Sequence, residues 1–433
     1  MTIEPDDSAP LAIEPRGPID VTLSVPGSKS ITNRAVLIAA LADGRSELEG
    51  VLESDDTVAM RTALGQLGVT ISIDGERWEV EGRGGRLAAS AANLDLGNAG
   101  TAMRFLTAAC TLADGACVLD GNARMRERPI ADLLDALGQL GGSLELLQPT
   151  GCPPLRTFGG GLGGGEAEID ASQSSQYVSA LLLAAPYAAE DVTLRFRDGV
   201  VVSRPYIDVT LQVMSMFGAE AQWQADRGGL EVGAGAPYRA CSFAVEPDAS
   251  SAMYPLCAAA IRGGRARVVG IPSHSKQSDL GMLPILEAMG CHVVQEETFV
   301  EVIGPPEGLR SPGRVDFNDF PDAALAFAVV ALFADGPTRI ENVATLRIKE
   351  TDRIAALESE LSRLGARVTS GSDWLEIQPG PLHGAHIQTY DDHRMAMSFA
   401  LAGLRVPGVA ICDPGCVSKT WPGYFDSFSR WTD

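Results

Sequence analysis

Hydrophobic and polar positions fall into two patterns that alternate along this chain. The first is a run of small and branched apolar residues with almost no polar face, then a turn, usually containing Gly, and a short apolar segment. It occurs as "AVLIAALADGRSELEGV", "FLTAACTLADGACVLDG", "ALLLAAPYAAEDVTLRF", "PLCAAAIRGGRARVVGI", "AFAVVALFADGPTRIENV" and "SFALAGLRVPGVAICDP". A run that is apolar all round predicts a helix buried on every side, and the segment after the turn predicts a strand. The second pattern is amphipathic, closes on a hydrophobe and Gly, and continues with alternating residues. Its copies are "MRTALGQLGVTISIDGERWEVEG", "LLDALGQLGGSLELL", "VTLQVMSMFGAEAQWQADRGGLEVG", "LPILEAMGCHVVQEETFVEVIG" and "LESELSRLGARVTSGSDWLEIQPG". The closing glycines, Gly68, Gly141, Gly218, Gly290 and Gly365, stand roughly 75 residues apart, longer than the common solenoid periods. Gly at such a point predicts a left-handed helix end, and the alternation after it a hairpin with one solvated face.

Each unit therefore reads strand–helix–strand–helix–strand–strand, with right-handed crossovers between its parallel strands. The sixth unit has its helices, in "DDHRMAMSFALAGL" and "TWPGYFDSFSRW", but stops before a hairpin. The N-terminal "LAIEP" and "IDVTLSV" are expected to supply the missing strands. Residues 1–25 with 244–433 would then form one domain and residues 26–243 the other, the chain crossing near Pro26 and near Ala244. Three units per half predict an α/β fold of two pseudo-threefold domains; the competing arrangement is one large doubly wound sheet.

Polar residues concentrate at the helix starts. The apolar helices begin with "SKSITNR", "NAGTAMR", "SQSSQYVS", "DASSAMY", "FPDAAL" and "DDHRMAM". The amphipathic ones begin with "ESDDTVAM", "RMRERPIADL", "SRPYIDVT", "SKQSDLGML", "RIKETDRIA" and "VSKTWPGYF". Ser, Asp and Asn there usually act as plain caps, and Glu350 with Arg353, three apart, could be a solvated pair. Caps do not account for Arg104, Arg128, Arg204, Lys349, Arg353, Arg394 and Lys419, cations placed where the helix dipole disfavours them. Equivalent starts of repeated units point the same way, so these residues are expected to gather on one face of each half. Two such faces opposed across a two-strand connection would make a cleft suited to anions.

Composition narrows the ligand. The 433 residues carry a formal net charge of −22, which argues against nucleic acid as principal partner and leaves local field to govern binding. No apolar run reaches the roughly 18–20 residues of a membrane span. The acidic "MTIEPDDSAP" start is unlike a secretory or transit peptide, so the cytoplasm is expected. Eight scattered cysteines suit free thiols in a reducing compartment. Cys412 and Cys416 lack a second ligand pair, so no metal site is expected. "PGSKS" lacks the spacing of a nucleotide-binding loop, and "GNAGTAMR" is not a dinucleotide fingerprint. "GGGLGGG" has no helix after it, and reads as a flexible turn. No Ser/His/acid or Cys/His set stands out; among the five histidines only His393 sits with charged neighbours at a helix start.

The motifs "PGSKSITNRA", "LGNAGTAMR", "RMRERPI", "SSQY", "SRPYID", "EPDASSA", "PDAA", "RIKETDR", "YDDHRMAM" and "SKTWP" resemble, in order and spacing, the bacterial 5-enolpyruvylshikimate-3-phosphate synthases. The resemblance runs from about Pro26 to Pro422. It implies an inside-out α/β barrel of three βαβαββ units in each domain, with the active site in the interdomain cleft. It also implies an enolpyruvyl transfer from phosphoenolpyruvate to the 5-hydroxyl of shikimate 3-phosphate on the route to chorismate and aromatic amino acids, by a monomer without organic cofactor. By motif match, Lys29, Ser30, Arg34, Ser174, Ser175, Gln176, Ser203, Tyr206, Asp322, Thr345 and Lys349 resemble the shikimate 3-phosphate site. Within it Arg34 is placed for the ring carboxylate, and Ser174 with Ser203 for the phosphate. Lys29, Asn98, Gly100, Arg128, Gln176, Arg353, His393, Arg394 and Lys419 resemble the phosphoenolpyruvate site. Asp322 is the candidate for the 5-hydroxyl proton and Glu350 for the methylene proton. Lys29 is expected to bridge both substrates and share in either transfer.

Two positions depart from the family pattern. Phe105 follows Arg104 where many relatives carry Pro, and Thr345 stands where some carry Asn. In the family Gly100 and Thr101 border the site of the inhibitor glyphosate, so Phe105 bears on inhibitor sensitivity more than on catalysis. The related transferase acting on a UDP-amino sugar usually has Lys-Asn at Lys29-Ser30 and a Cys-bearing loop. The repeat-built RNA 3′-phosphate cyclases would favour basic and aromatic interleaving, absent here. A non-catalytic anion-binding relative would have no need to keep Asp322, Glu350 and Lys29 together.

Overall fold

In a computed structural model, which describes residues 9–89, 92–224 and 228–432, the apolar runs and the amphipathic runs become helices. The acidic stretch at residues 1–8 and positions 225–227 of the third hairpin lie outside the described residues. In chain order the helices are α1 (Lys29–Leu41), α2 (Asp55–Gln66), α3 (Gly100–Ala109), α4 (Ala131–Gln139), α5 (Ser175–Ala184), α6 (Pro205–Met216), α7 (Ala249–Arg262), α8 (Leu283–Ala288), α9 (Ala324–Ala331), α10 (Arg353–Arg363), α11 (His393–Gly403) and α12 (Tyr424–Phe428). The odd-numbered helices are the apolar runs. All residues of α3, α9 and α11 are buried, and in α1 only Lys29 and Ser30 escape burial. The five even-numbered helices from α2 to α10 bury one stripe; α10 turns Ile354, Leu357 and Leu361 inward. The closing glycines after those five all have positive φ, from 81° at Gly68 to 103° at Gly290 and Gly365.

The chain forms two units, Gly27–Glu246 and a second made of the residues through Pro26 and from Pro247 onward. Each has its own apolar core built around its odd-numbered helices. In the Gly27–Glu246 unit three sheets repeat one order. Ala92–Asp95 runs parallel to Cys117–Asp120, which pairs antiparallel with Leu155–Thr157 and, beyond it, Leu144–Leu146. Gly165–Ala171, Val192–Val201, Gly229–Val232 and Ala221–Gln224 follow the same order. So do Ser242–Ala244, Arg45–Glu49, Arg77–Glu81 and Thr70–Asp74. The other unit has Arg314–Asp316, Thr338–Glu341, Leu375–Gln378 and Arg367–Ser370 in one sheet, and Ile19–Leu23, Gly264–Val269, Phe299–Gly304 and His292–Gln295 in another. Its third sheet has three strands, His386–Ile387, Val409–Ile411 and Leu11–Ile13.

The N-terminal strands depart from the expectation that both complete the sixth unit. Leu11–Ile13 does, pairing antiparallel with Val409–Ile411 through Ala12↔Ala410. Ile19–Leu23 instead runs parallel to Gly264–Val269 and leads the fourth unit. Its counterpart is Ser242–Ala244, which leads the first unit through Ala244↔Glu49. Ala244 therefore belongs with Gly27–Glu246, and the crossing falls after it, at Glu246/Pro247. The strand ahead of α1 thus serves the unit of α7, and the strand ahead of α7 serves that of α1. Three to five residues of alternating character define a strand but carry no record of its partner. Backbone bonds fasten each crossing: Ser28 N–H donates to Glu246 O at 2.8 Å, and Asp248 N–H to Pro26 O at 2.8 Å. Among the described residues, no helix is long and apolar enough to cross a membrane.

Candidate active site

Apart from Arg34, in the second turn of α1, the candidate residues lie at helix starts or in the turns that precede them. In the Gly27–Glu246 unit, Lys29 opens α1 behind Ser28, whose side chain makes no cap bond. The Lys29 ammonium pairs with Asp56 in the first turn of α2 at 3.0 Å. The next five residues, Ser30 to Arg34, polar apart from Ile31, then run into the core. Arg34 is 2% exposed. Its Nε donates to Thr210 Oγ1 at 2.7 Å, Nη1 to Ser30 O at 2.8 Å, and Nη2 to Tyr206 O at 3.1 Å and Ser179 Oγ at 3.3 Å. Burial pulls its pKa down to about 10, against an opposing pull from Tyr206. Tyr206 belongs to the first turn of α6, just after Ser203, which has the left-handed φ of 51°.

Gly100 opens α3, and the absence of a side chain is what admits Arg128. A Cβ there would lie 2.7 Å from the Arg128 Cζ and closer still to Nη2. The Arg128 Nη1 donates to both Asn98 O (3.2 Å) and Asn98 Oδ1 (3.1 Å), and its Nε is buried without a hydrogen-bond partner. Ser174 caps α5 by accepting from Gln176 N–H at 3.2 Å, and the Gln176 amide donates to Thr101 Oγ1 at 3.2 Å. Ser175, between them, is buried. Among the described residues, neither Arg34 nor Arg128 has a carboxylate in ion-pair contact; their partners are neutral oxygens.

The second unit is built differently. Arg353, first residue of α10 and 1% exposed, touches three carboxylates. They are Asp392 (Nε–Oδ2 2.7 Å, Nη2–Oδ1 3.1 Å), Glu350 (2.9 Å) and Asp322 (2.9 Å). Asp322, in the turn Pro321–Ala323 ahead of α9, also meets Lys349 at 3.5 Å and Arg394 at 3.2 Å. Burial pushes the Asp322 carboxyl up, but Lys349, Arg394 and Arg353 together outweigh it and hold the group far below the usual carboxylate range. Burial likewise opposes the charge on Arg353, and Asp392, Glu350 and Asp322 overcome it, so the guanidinium stays charged. Thr345 sits in the turn Ala344–Ile348 just before Lys349, and Lys419 ends the turn Pro414–Lys419. His393 follows Asp392 in the first turn of α11, its Nδ1 3.6 Å from Asp392 Oδ1.

Glu350 and Arg353 are thus a buried pair, not a solvated one, with side chains 8% and 1% exposed. Arg204 leaves the group of helix-start cations: its guanidinium lies 4.0 Å from the centre of the Trp223 ring, a packing role. Three acids escaped the sequence reading. Asp392 both caps α11, accepting from Arg394 N–H at 2.9 Å, and takes two bonds from Arg353. Asp56 holds Lys29. Asp279 is buried beside Arg394, Asp322 and Asp248; burial raises its pKa to about 6. The doubled Asp of "YDDHR" was the available signal for Asp392, since one cap needs only one acid. Asp279 had none.

Repeated βαβαββ units with cations gathered at the helix starts define a repeat-built α/β class. A profile of the EPSP synthase (3-phosphoshikimate 1-carboxyvinyltransferase) family matches residues 13–428. The 3-phosphoshikimate 1-carboxyvinyltransferase of Photobacterium profundum is 47% identical over 425 residues, 97% of this chain and 98% of the relative. That of Trichormus variabilis is 44% identical, over 95% and 96%. A solved EPSP synthase structure from Acinetobacter baumannii superposes with a TM-score of 0.79 at 24% identity, covering 98% of both chains, which establishes the shared fold. The chain belongs to the EPSP synthase family.

Proposed function

We propose that this chain transfers the enolpyruvyl group of phosphoenolpyruvate to the 5-hydroxyl of shikimate 3-phosphate and releases phosphate, in the pathway to chorismate. The observation that carries the reading is the Asp322–Arg353–Glu350 network, a partly buried and a buried carboxylate sharing one buried guanidinium at 2.9 Å each. The reaction needs such a pair. The 5-hydroxyl oxygen adds to C2 of phosphoenolpyruvate as C3 takes a proton, giving a tetrahedral adduct. C3 then gives a proton back and phosphate departs as the double bond re-forms. Asp322, kept ionised by three cations, accepts the hydroxyl proton in the first step. Glu350 delivers and later recovers the C3 proton; it gains that proton once the bound substrates exclude water. Lys29 supports charge on the departing phosphate.

Substrate binding divides along the chain. Arg34 meets the ring carboxylate of shikimate 3-phosphate, while Ser174 and Ser203 take its phosphate, aided by Ser30, Ser175, Gln176, Tyr206, Thr345 and Lys349. Arg128, Arg353, Arg394 and Lys419 take phosphoenolpyruvate with Lys29, Asn98, Gly100, Gln176 and His393, since planar guanidinium forks match carboxylate and phosphate oxygens. The working species in this reading is a cytoplasmic monomer. Phosphate release from phosphoenolpyruvate with shikimate 3-phosphate, run beside phosphoenolpyruvate with UDP-N-acetylglucosamine, tests it. Release only with the shikimate ester is expected. Release only with the sugar would overturn the substrate, and none with either would overturn the activity.

A further inference from the structure

Arg34 presents an energetic oddity. A guanidinium buried to 2% exposure is costly without an opposite charge, and Arg353, equally buried, has three carboxylates around it. Around Arg34 four helices of one unit converge with neutral groups only. Thr210 of α6 and Ser179 of α5 supply hydroxyl oxygens at 2.7 and 3.3 Å. These two hydroxyls bond each other at 2.8 Å. Ser30 and Tyr206 supply backbone oxygens. Phe105 of α3 lies under the guanidinium with its ring centre 5.1 Å from Cζ, within cation–π range. Phe105, Ser179 and Thr210 are all 0% exposed.

We propose that Phe105, Ser179 and Thr210 are positioning residues that hold Arg34 in a fixed orientation while leaving its charge uncompensated, so that the anion of the shikimate ester becomes its counter-ion. The inference rests on the reading of Arg34 as a ligand of that substrate. The hydrogen bonds fix the edge of the guanidinium and the ring fixes its plane. None of these groups cancels its charge. A carboxylate at position 210 would sit against Nε, which now lies 2.7 Å from the Thr210 hydroxyl, and would neutralise it at little change in side-chain size.

Four variants, each assayed for the KM of both substrates and for thermal midpoint, decide the matter. Arg34→Met should raise the KM for shikimate 3-phosphate about 30-fold, the loss of a charge-assisted bond, with less effect on that for phosphoenolpyruvate. An unchanged value would remove the reading of Arg34 itself. Given that effect, Thr210→Asp should raise the same KM about tenfold and raise the thermal midpoint by about 3 °C, because a buried cation gains a partner. Stability and affinity moving in opposite directions is what a purely structural role would not produce. Phe105→Leu should raise the KM for the shikimate ester about threefold, and Phe105→Tyr should restore it. Thr210→Asp with normal affinity for the shikimate ester would overturn the inference while leaving Arg34 a ligand. If that variant does not fold, a normal KM in Phe105→Leu overturns it instead.

Discussion

Arg34, in the second turn of α1, and Arg353, the first residue of α10, are both almost fully buried, yet their surroundings are opposite. Arg34 is bound by hydroxyls, backbone carbonyls and a ring; Arg353 is bound by Asp322, Glu350 and Asp392. A cation surrounded by neutral oxygens keeps its field for an arriving anion, whereas one surrounded by carboxylates spends its field on them and sets their protonation. In the proposed reading, α1 therefore presents a cation for substrate binding, while the start of α10 sets up proton chemistry. The contrast also appears in capping. Ser28 and Ala99 make no side-chain cap bond to α1 and α3, while Asp248 and Asp392 cap α7 and α11 with carboxylates.

The contrast can be broken most sharply at Glu350. Glu350→Gln should lower kcat about 1000-fold or more as a proton donor is lost, with shikimate 3-phosphate binding by calorimetry kept within about threefold. If the variant bound that ester as poorly as Arg34→Met, the division between units would be wrong. Lys29→Met should likewise abolish phosphate release.

Stability should separate the two arginines next. Arg353→Met strands the buried Glu350 and Asp392 and the partly buried Asp322 and should cost about 3–5 kcal/mol in urea unfolding. Arg34→Met strands only neutral oxygens and should cost about 1 kcal/mol. Equal losses would show that Arg34 has an ionic partner after all. A smaller effect is expected at Gly100. Gly100→Ala forces Arg128 to move and should raise the KM for phosphoenolpyruvate about tenfold through misplacement, while the urea midpoint stays near wild type because the displaced group is the end of a flexible side chain.

The smallest effect is on pH dependence. The folded pKa of Asp279, about 6, lies above the ordinary value of about 3.9. Its contribution to stability is therefore fully present below about pH 4 and is lost as pH rises through about 6. Asp322 has the opposite sign: its pKa is depressed, so its contribution is present at neutral pH and is lost as pH falls below the ordinary carboxylate range. Asp279→Asn should stabilise the protein at pH 7.5 by about 1–2 kcal/mol and give no gain near pH 4. A gain that persists at pH 4 would assign the effect to packing rather than charge.

Much of this molecule was legible in the order of its residues because the signals are local. An all-apolar run such as "AFAVVALFA" buries a helix on every side whatever surrounds it, and α9 is buried throughout. A hydrophobe followed by Gly ends a helix in the left-handed region, as at Gly68 and Gly365. Six copies of the first signal and five of the second determined the number of units. Cations at helix starts oppose the dipole, so Arg128, Arg353 and Arg394 stood out before any contact was known.

What only the tertiary structure decided is who pairs with whom. "IDVTL" announces a strand, but its exchange with Ser242–Ala244 between the fourth and first units depends on partners more than 190 residues away in sequence. Phe105 reads as a core residue in a helix and becomes the floor under Arg34. Arg34 and Arg353 look alike in sequence; Thr210, 176 residues from one, and Asp392, 39 residues from the other, make the first a free charge and the second a shared one. Helix periodicity is set by neighbours three and four positions apart, whereas neutralisation of a buried charge depends on distance in space. Folding alone brings those groups together.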